Sequence, residues 1–277
     1  MSTRRSTEPA ATGKETTGGM LKKSETAGTQ AIDRALALLF CFTHEQPERR
    51  IMDISSELGL HKSTVYRLLQ ALAAKGLVRQ NAVTGAYRLG ASVLDLAARF
   101  VGSLDLRNAA RPHIEQLARE EGESVNLSIL DGSDAVLIDR IVGTTTPQLV
   151  SRFAPRIPIY CSAAGKSLLL DLDEDGVRAL LADETFRKLT PHTLTDMKTF
   201  LQRFRVWKRQ GWAYNDEESE VGLRTVGVPI HGHDGRIVAS ISVSAPTFRM
   251  GDARVKALAR ATLRAARAAS EAMGAPG

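Results

Sequence analysis

The chain has few of the residues that build disulfide or metal frameworks. Its 277 residues include only two cysteines, Cys41 and Cys161, which lie far apart among apolar neighbours. A disulfide scaffold or zinc site needs more ligands at closer spacing, so the pair indicates a reducing compartment. The longest apolar run, 35–42, is far shorter than the roughly 20 residues of a membrane helix, and Arg4 and Arg5 precede no apolar signal segment. We expect a cytoplasmic protein with no disulfide, metal or membrane partner.

Catalytic signatures are also missing. The sequence has no Gly-x-Ser-x-Gly elbow, and Ala-Ala-Gly-Lys-Ser at 163–167 lacks the leading glycine of a phosphate loop. Carboxylates are dense at 216–220, but adjacent residues do not converge on one point. His231 and His233 flank a turn without a third ligand nearby, so solvated hairpin residues are the alternative to a metal site. We predict no catalytic residues and no cofactor.

Positive charge is concentrated near the N-terminus. The net charge is +6, and residues 29–90 hold eight Lys or Arg against five Asp or Glu. Before them, residues 1–28 contain almost no large apolar side chain, which predicts a disordered tail. The length and the 43% hydrophobic content allow two domains with separate cores. The basic excess permits an anionic partner for the first of them.

Three short helices and a hairpin are predicted within residues 29–90. Four apolar residues have the spacing of a buried face on the first helix: Ile32, Ala35, Leu36 and Leu39. Asp53 is expected to cap a second helix that ends at Gly59. A third helix ends at Lys75-Gly76, and two short strands follow around the turn at 81–85. This order predicts a winged helix-turn-helix.

The second helix of a helix-turn-helix enters the major groove, so its outer face must reach bases and phosphates. In His61-Lys-Ser-Thr-Val-Tyr-Arg-Leu-Leu69 the apolar residues share the inner face. The predicted DNA-binding residues are Lys62, Ser63, Thr64, Tyr66 and Arg67 on this helix, with Arg79 and Arg88 on the hairpin. A three-helix structural module with a solvated basic face is the alternative.

The rest of the chain predicts a linker helix over 91–107 and an α+β domain over 108–277. Helices are expected from about Arg111 and over 163–170, 173–182, 195–210 and 252–273. Alternation predicts the strands of an antiparallel sheet over 125–130, 135–142, 148–153, 211–215, 223–230 and 237–244.

A small polar pocket is predicted on this sheet. Ser242 and Ser244 point to the same face of their strand, with Thr225 on its expected neighbour. Small residues at 159–166 lead into a helix whose first N–H groups can bind an anion. The alternative is that the serines form the solvent face of an edge strand. Arg152 and Arg156 would add charge or are merely exposed loop residues.

Several motifs in the right order resemble the IclR family of bacterial transcription regulators. In the first domain they are ALALLFCF, DISSELGLHKSTVYRLLQALAAKGLVRQ and GAYRLG; in the second, YCSAAGKSLL, GWAYNDEESEVGLRTVGVPI and DGRIVASISVSAPTFRM. The likeness covers roughly residues 30–272. It implies a GAF-like effector-binding domain for small organic acids or aromatics, with ligand contacts at Ala163, Ala164, Ser242 and Ser244. Thr225 stands where Cys is common and Asn215 where Asp is common, and 153–155 lacks the usual Gly.

The sequence thus predicts a sequence-specific regulator whose DNA binding responds to a small-molecule effector. We expect a homodimer, or a dimer of dimers, on a near-palindromic operator in double-stranded DNA, because one such helix gives too small a footprint. The rivals are an enzyme fused to a DNA-binding domain and an architectural DNA-binding protein without a ligand.

Overall fold

The computed structural model describes residues 27–102, 105–145 and 156–276. They divide into two compact units between Ala97 and Ala98, here called the N-terminal and C-terminal units. Three predictions lie outside the described residues: the disordered tail up to residue 26, the strand over 148–153 with Arg152, and the missing family glycine at 153–155.

The N-terminal unit contains three helices and a two-stranded hairpin. The helices are α1 (Ala27–Phe40), α2 (Ile51–Leu58) and α3 (Lys62–Ala74), and the antiparallel strands are β1 (Val78–Gln80) and β2 (Tyr87–Leu89). Leu38, Ile54, Val65 and Leu69 are fully buried in its core. This confirms the predicted winged helix-turn-helix.

Two local predictions in this unit are wrong. Asp53 is not the N-cap of α2, because that position is occupied by Arg50. The Asp53 carboxylate instead accepts a hydrogen bond from the Arg50 backbone N–H at 3.2 Å. The buried face of α1 is also different, since Leu38 is buried whereas Ile32 and Leu36 are at least half exposed. Apolar residues surround much of α1, so spacing alone could not select the face that meets α2 and α3.

Two helices follow the hairpin. Helix α4 spans Ser92–Gly102 and α5 spans Asp105–Glu121. Helix α5 starts earlier than the expected Arg111, with Pro112 inside it. No described helix is long and apolar enough to cross a membrane.

The C-terminal unit is built on a six-stranded antiparallel sheet. Its strands are β3 (Ser124–Asp131), β4 (Asp134–Ile141), β5 (Arg156–Pro158), β6 (Ala213–Asp216), β7 (Leu223–His231) and β8 (Ile237–Pro246), in the order β5-β4-β3-β8-β7-β6. Four of the predicted strands correspond to β3, β4, β7 and β8, and a fifth to β6, whereas β5 was not predicted.

The two faces of this sheet differ in chemistry. Apolar residues such as Val125, Ile241 and Val226 form one core with α5 and with α9 (Asp252–Ala272). On the other face lie α6 (Ala163–Leu168) and a second apolar cluster with α7 (Glu174–Leu180) and α8 (Met197–Gln210). This is the predicted α+β arrangement, and its second face leaves room for polar side chains.

Candidate DNA-reading surface and effector cavity

The outer face of α3 presents the residues predicted to read DNA. His61 caps the helix, its ring accepting the Ser63 backbone N–H at 3.3 Å, so α3 starts at Lys62. Val65 and Leu69 are buried. Lys62, Ser63, Tyr66 and Arg67 are exposed and Thr64 is half-buried, so the five residues remain on the accessible side.

Among the described residues, Arg88 is the only one of the four predicted DNA-binding cations with a carboxylate within 4 Å. In the described part of the chain, no carboxylate pairs with Lys62, Arg67 or Arg79. Arg49 is different: it donates to Glu57 at 2.6 Å and to the Cys41 carbonyl at 3.0 Å, with a nearly buried side chain. Arg49 therefore joins α2 to the segment after α1, and its charge is paired within the protein.

The hairpin concentrates positive charge. Arg79 and Arg88 are directly opposite each other across β1 and β2, and both are exposed. Opposed like charges destabilise a strand pair, and an anion between them would relieve the repulsion. Arg88 also lies 3.8 Å from Glu48. The base of the hairpin requires Gly90, since a Cβ there would be 2.0 Å from the Gly76 carbonyl oxygen.

All six residues predicted to bind an effector surround one cavity of about 70 Å³ in the C-terminal unit: Ala163, Ala164, Asn215, Thr225, Ser242 and Ser244. The three strands that carry Asn215, Thr225 and Ser244 are neighbours, in register at these residues. The hydroxyls of Thr225 and Ser244 are 3.1 Å apart. Strand β8 is central, so the edge-strand alternative for its serines is wrong.

Helix α6 covers this polar face at close range. Ser162 caps the helix and accepts the Gly165 backbone N–H at 3.0 Å. The N–H groups of Ala163 and Ala164 belong to the first turn, where a helix supplies no acceptor of its own. Both residues line the cavity, so the helix start faces it.

The comparison with family models decides the identity. Residues 31–82 match the IclR helix-turn-helix domain, and residues 98–271 match the bacterial transcriptional regulator IclR C-terminal domain. The chain belongs to the IclR family. It is a transcriptional regulator with a helix-turn-helix and a C-terminal effector domain.

Relatives in this family are named regulators. The chain is 36% identical over 247 residues to the HTH-type transcriptional regulator XynR of Escherichia coli K12, covering 89% of this chain and 98% of XynR. It is 31% identical over 247 residues to the HTH-type transcriptional repressor AllR of the same strain, covering 89% and 91%.

Solved structures have the same fold. A transcriptional regulator from Rhodococcus sp. RHA1 superposes with a TM-score of 0.76 at 29% identity, over 88% of this chain and 98% of that one. An IclR homologue from Microbacterium hydrocarbonoxydans, complexed with 4-hydroxybenzoate, gives a TM-score of 0.75 at 22% identity over 88% and 98%. The second likeness shows the fold alone.

Asn215 supports the wall of the cavity in this IclR-family chain. Its amide group donates to the Cys161 carbonyl and to the Ser219 hydroxyl, each at 2.9 Å. Its carbonyl oxygen accepts the Glu218 backbone N–H at 2.8 Å. Asn215 therefore fixes two neighbouring segments while it lines the cavity.

A buried ion pair next to the cavity was not predicted. Lys166 is completely buried, and its Nζ lies 2.5 Å from Glu218 Oε1 and 4.7 Å from the centre of the Trp207 ring. Burial lowers the pKa of Lys166, and the nearby Glu218 carboxylate opposes that shift. Burial likewise raises the pKa of Glu218. The pair fixes α6 to the segment after β6.

Arg140 was also missed. It lies on β4 and lines the cavity, and no other described lining residue carries a formal charge. The other lining residues are alcohols, amides and apolar side chains. The only sequence signal was its place in a predicted strand, where Asp139 and Arg140 interrupt the apolar pattern.

Other candidates from the sequence do not join this cavity. Arg156 is exposed and pairs with Asp131 and Asp134. His231 Nε2 lies 3.7 Å from Asp171 Oδ1, and the described residues hold no group of three potential metal ligands. Cys161 is fully buried, and burial raises the pKa of its thiol to about 12.

Proposed function

We propose that this regulator binds a specific operator and that a small organic acid in the C-terminal cavity modulates this binding. One observation supports it most: the six effector residues meet around one cavity whose described lining has a cation and no carboxylate. The domain ranges 29–90, 91–107 and 108–277 are part of this proposal.

The DNA contacts follow from the exposed face of α3. Arg67 or Lys62 would pair with guanine in the major groove, and Tyr66 would contact a thymine methyl or a phosphate. Ser63 and Thr64, at the start of the helix, suit a phosphate because the positive end of the helix dipole lies there. Arg79 and Arg88 would contact the flanking backbone or minor groove.

Exposed apolar side chains support a homodimer. Ile32, Leu36 and Phe40 recur every four residues along α1, and Phe40 is 83% exposed. On α4, Leu94 is 73% exposed. Rows of large apolar side chains in water are unfavourable and commonly mark interfaces. We propose that these exposed side chains pair two copies, or assemble a dimer of dimers, on a near-palindromic operator.

The cavity suits a carboxylate. Arg140 would supply the counter-charge, the first turn of α6 its N–H groups, and Thr225, Ser242 and Ser244 their hydroxyls. Leu137, Ile157 and Leu223 provide an apolar wall. A volume of about 70 Å³ is small for a ligand site and favours small acids. The complex of the Microbacterium homologue with 4-hydroxybenzoate makes an aromatic acid the second class to test.

Operator binding is tested by selection from random DNA duplexes with the intact protein. We expect one near-palindromic site to be enriched, and its enrichment to be lost in Lys62→Ala and Arg67→Ala. Lys75→Ala is the matched control, because Lys75 is exposed at the far end of α3. Salt-sensitive binding without enrichment of any site would contradict the proposal.

Effector binding is tested by calorimetry with acetate, glycolate, lactate, benzoate and 4-hydroxybenzoate. Benzamide is the neutral control for benzoate. We expect at least one acid to bind, and Ser242→Ala and Arg140→Gln to weaken it. No binding across the panel would leave an architectural DNA-binding protein, and turnover of an acid would indicate an enzyme.

A further inference from the structure

We infer that the adjacent residues Asp139 and Arg140 carry the effector response from the cavity to helix α5. The inference rests on the proposed function, because it concerns how an acid bound in that cavity changes DNA binding. Asp139 and Arg140 have opposite charges. Although they are neighbours on β4, their side chains lie on opposite faces of the sheet.

A β-bulge explains how the two side chains separate. Leu127 of β3 pairs with Asp139 and Ser128 pairs with Leu137, so Ile138 is an extra residue on β4. Ile138 lies in the apolar core beneath α5, and Asp139 also faces that helix. Arg140 and Leu137 line the cavity on the other side. Bulges often redirect side chains beside functional sites.

Asp139 holds the first two turns of α5. Its carboxylate side chain is only 8% exposed and lies 3.0 Å from Arg107 Nε and 2.9 Å from Arg111 Nη1. The two arginines are one helical turn apart on α5, so both can pair with the same carboxylate. Arg111 is fixed further by Glu115 at 2.9 Å.

A hydrogen bond also joins Asp139 to Arg140. The Arg140 backbone N–H donates to Asp139 Oδ1 at 2.9 Å, so a shift of β4 at Arg140 also displaces the carboxylate that holds α5. An acid drawn to the Arg140 guanidinium would favour one position of this strand. Coupling requires that the acid bind the two arrangements with different affinity.

Helix α5 is the appropriate receiver because of its place in the chain. It begins at Asp105, three positions after α4 ends at Gly102, and α4 follows the winged helix-turn-helix. Along the chain, α4 therefore connects the start of α5 to the winged helix-turn-helix, and the boundary between the two units falls within α4. Asp139 is a positioning residue in this account, and it does not touch the effector.

The test compares two quantities in the full-length protein: affinity for an acid of the panel above, and the change in operator affinity that this acid causes. Asp139→Asn keeps the shape and removes the charge. We expect the affinity of Asp139→Asn for the acid to stay within about threefold of wild type. In the wild-type protein the acid should change operator affinity by about fivefold or more, and in Asp139→Asn by less than about twofold. Asp134→Asn is the matched control, since Asp134 lies on β4 but pairs with Arg156.

A double variant, Arg107→Gln with Arg111→Gln, removes the same contact from partly exposed positions on α5 and should give the same loss. Normal acid binding with an undiminished operator response in either folded variant would overturn the inference. So would failure of both variants to fold, because the contact would then serve stability alone. A wild-type protein that binds no acid, or whose operator affinity does not change, would instead contradict the proposed function.

Discussion

Gly227 of β7 lies against the first turn of α6, and a Cβ at this position would come within 2.2 Å of the Ala163 carbonyl oxygen. The backbones of strand and helix are therefore in direct contact at the edge of the cavity. Gly227 pairs with Ser242 in the sheet, and Ala163, Ala164, Ser242 and Ser244 line the same cavity.

Gly227→Ala should displace the start of α6. The added methyl group meets backbone atoms that cannot rotate away, so we expect a loss of about 1–3 kcal/mol in the free energy of unfolding. Acid binding should weaken more than tenfold, a loss of more than about 1.4 kcal/mol. Urea denaturation and calorimetry measure the two effects. Gly251→Ala, where a Cβ has no neighbour within 4 Å, should change neither; equal effects at both glycines would contradict the account.

Lys166→Met should be strongly destabilising, because it leaves the Glu218 carboxylate buried without its partner. Breaking a buried pair in this way costs about 3–5 kcal/mol. In Lys166→Met with Glu218→Leu, part of that cost should be recovered. Urea denaturation of the single and double variants measures it. The exposed pair Arg205–Glu174 is the control, and Arg205→Gln should leave stability nearly unchanged. A mild effect of Lys166→Met would mean that the pair is not held in the buried state.

Arg79→Ala should weaken binding to every duplex similarly, because a phosphate contact carries no sequence information. The slope of log affinity against log salt should fall by about one. Arg67→Ala should instead cost about 1–3 kcal/mol mainly on the selected operator. Salt titrations on operator and random DNA separate the two behaviours. A base-specific loss in Arg79→Ala would place the hairpin in direct readout.

Phe40→Glu should shift the protein towards monomer, because it introduces a charge into the exposed apolar row on α1. Sedimentation velocity across a concentration series measures the assembly state. Val83→Glu is the control, since Val83 is 94% exposed at the turn of the hairpin and outside that row. A Phe40→Glu protein that assembles like wild type would move the interface elsewhere.

Stability should fall as the pH rises above about 9. Burial raises the pKa of the Cys161 thiol from 9.0 to about 12. Between these two pH values the folded protein therefore keeps a proton that the unfolded chain has lost. The free energy of unfolding therefore decreases with pH until the folded thiol also ionises. Cys161→Ala should flatten the decline in urea denaturation between pH 8 and pH 10. An unchanged slope would show that other groups cause it.

Predictions from the sequence succeeded where one local signal was sufficient. Gly59 ends α2 with a φ of 62°, and the serines of β8 share a face as their spacing requires. Spacing could not tell whether that face meets solvent or a cavity. That depends on β3 and β7 flanking β8 and on α6 lying over Gly227, which are contacts between distant parts of the chain.

The errors have the same origin. On α1 both Leu36 and Leu38 fit a helical apolar pattern, and only the packing of α2 and α3 makes Leu38 the buried one. Arg140 was missed because the bulge at Ile138 interrupts the strict alternation that would have placed it beside the cavity residues. The Lys166–Glu218 pair joins residues 52 positions apart, a distance that no local pattern spans.

The most direct test of the account is the affinity of the intact protein for its selected operator, measured with and without a saturating carboxylate from the panel. We expect a change of about fivefold or more in operator affinity, in either direction. If benzoate is the effective acid, benzamide, its neutral control, should have no effect. A carboxylate that demonstrably binds in the cavity but leaves operator affinity unchanged would contradict the claim that this cavity controls DNA binding.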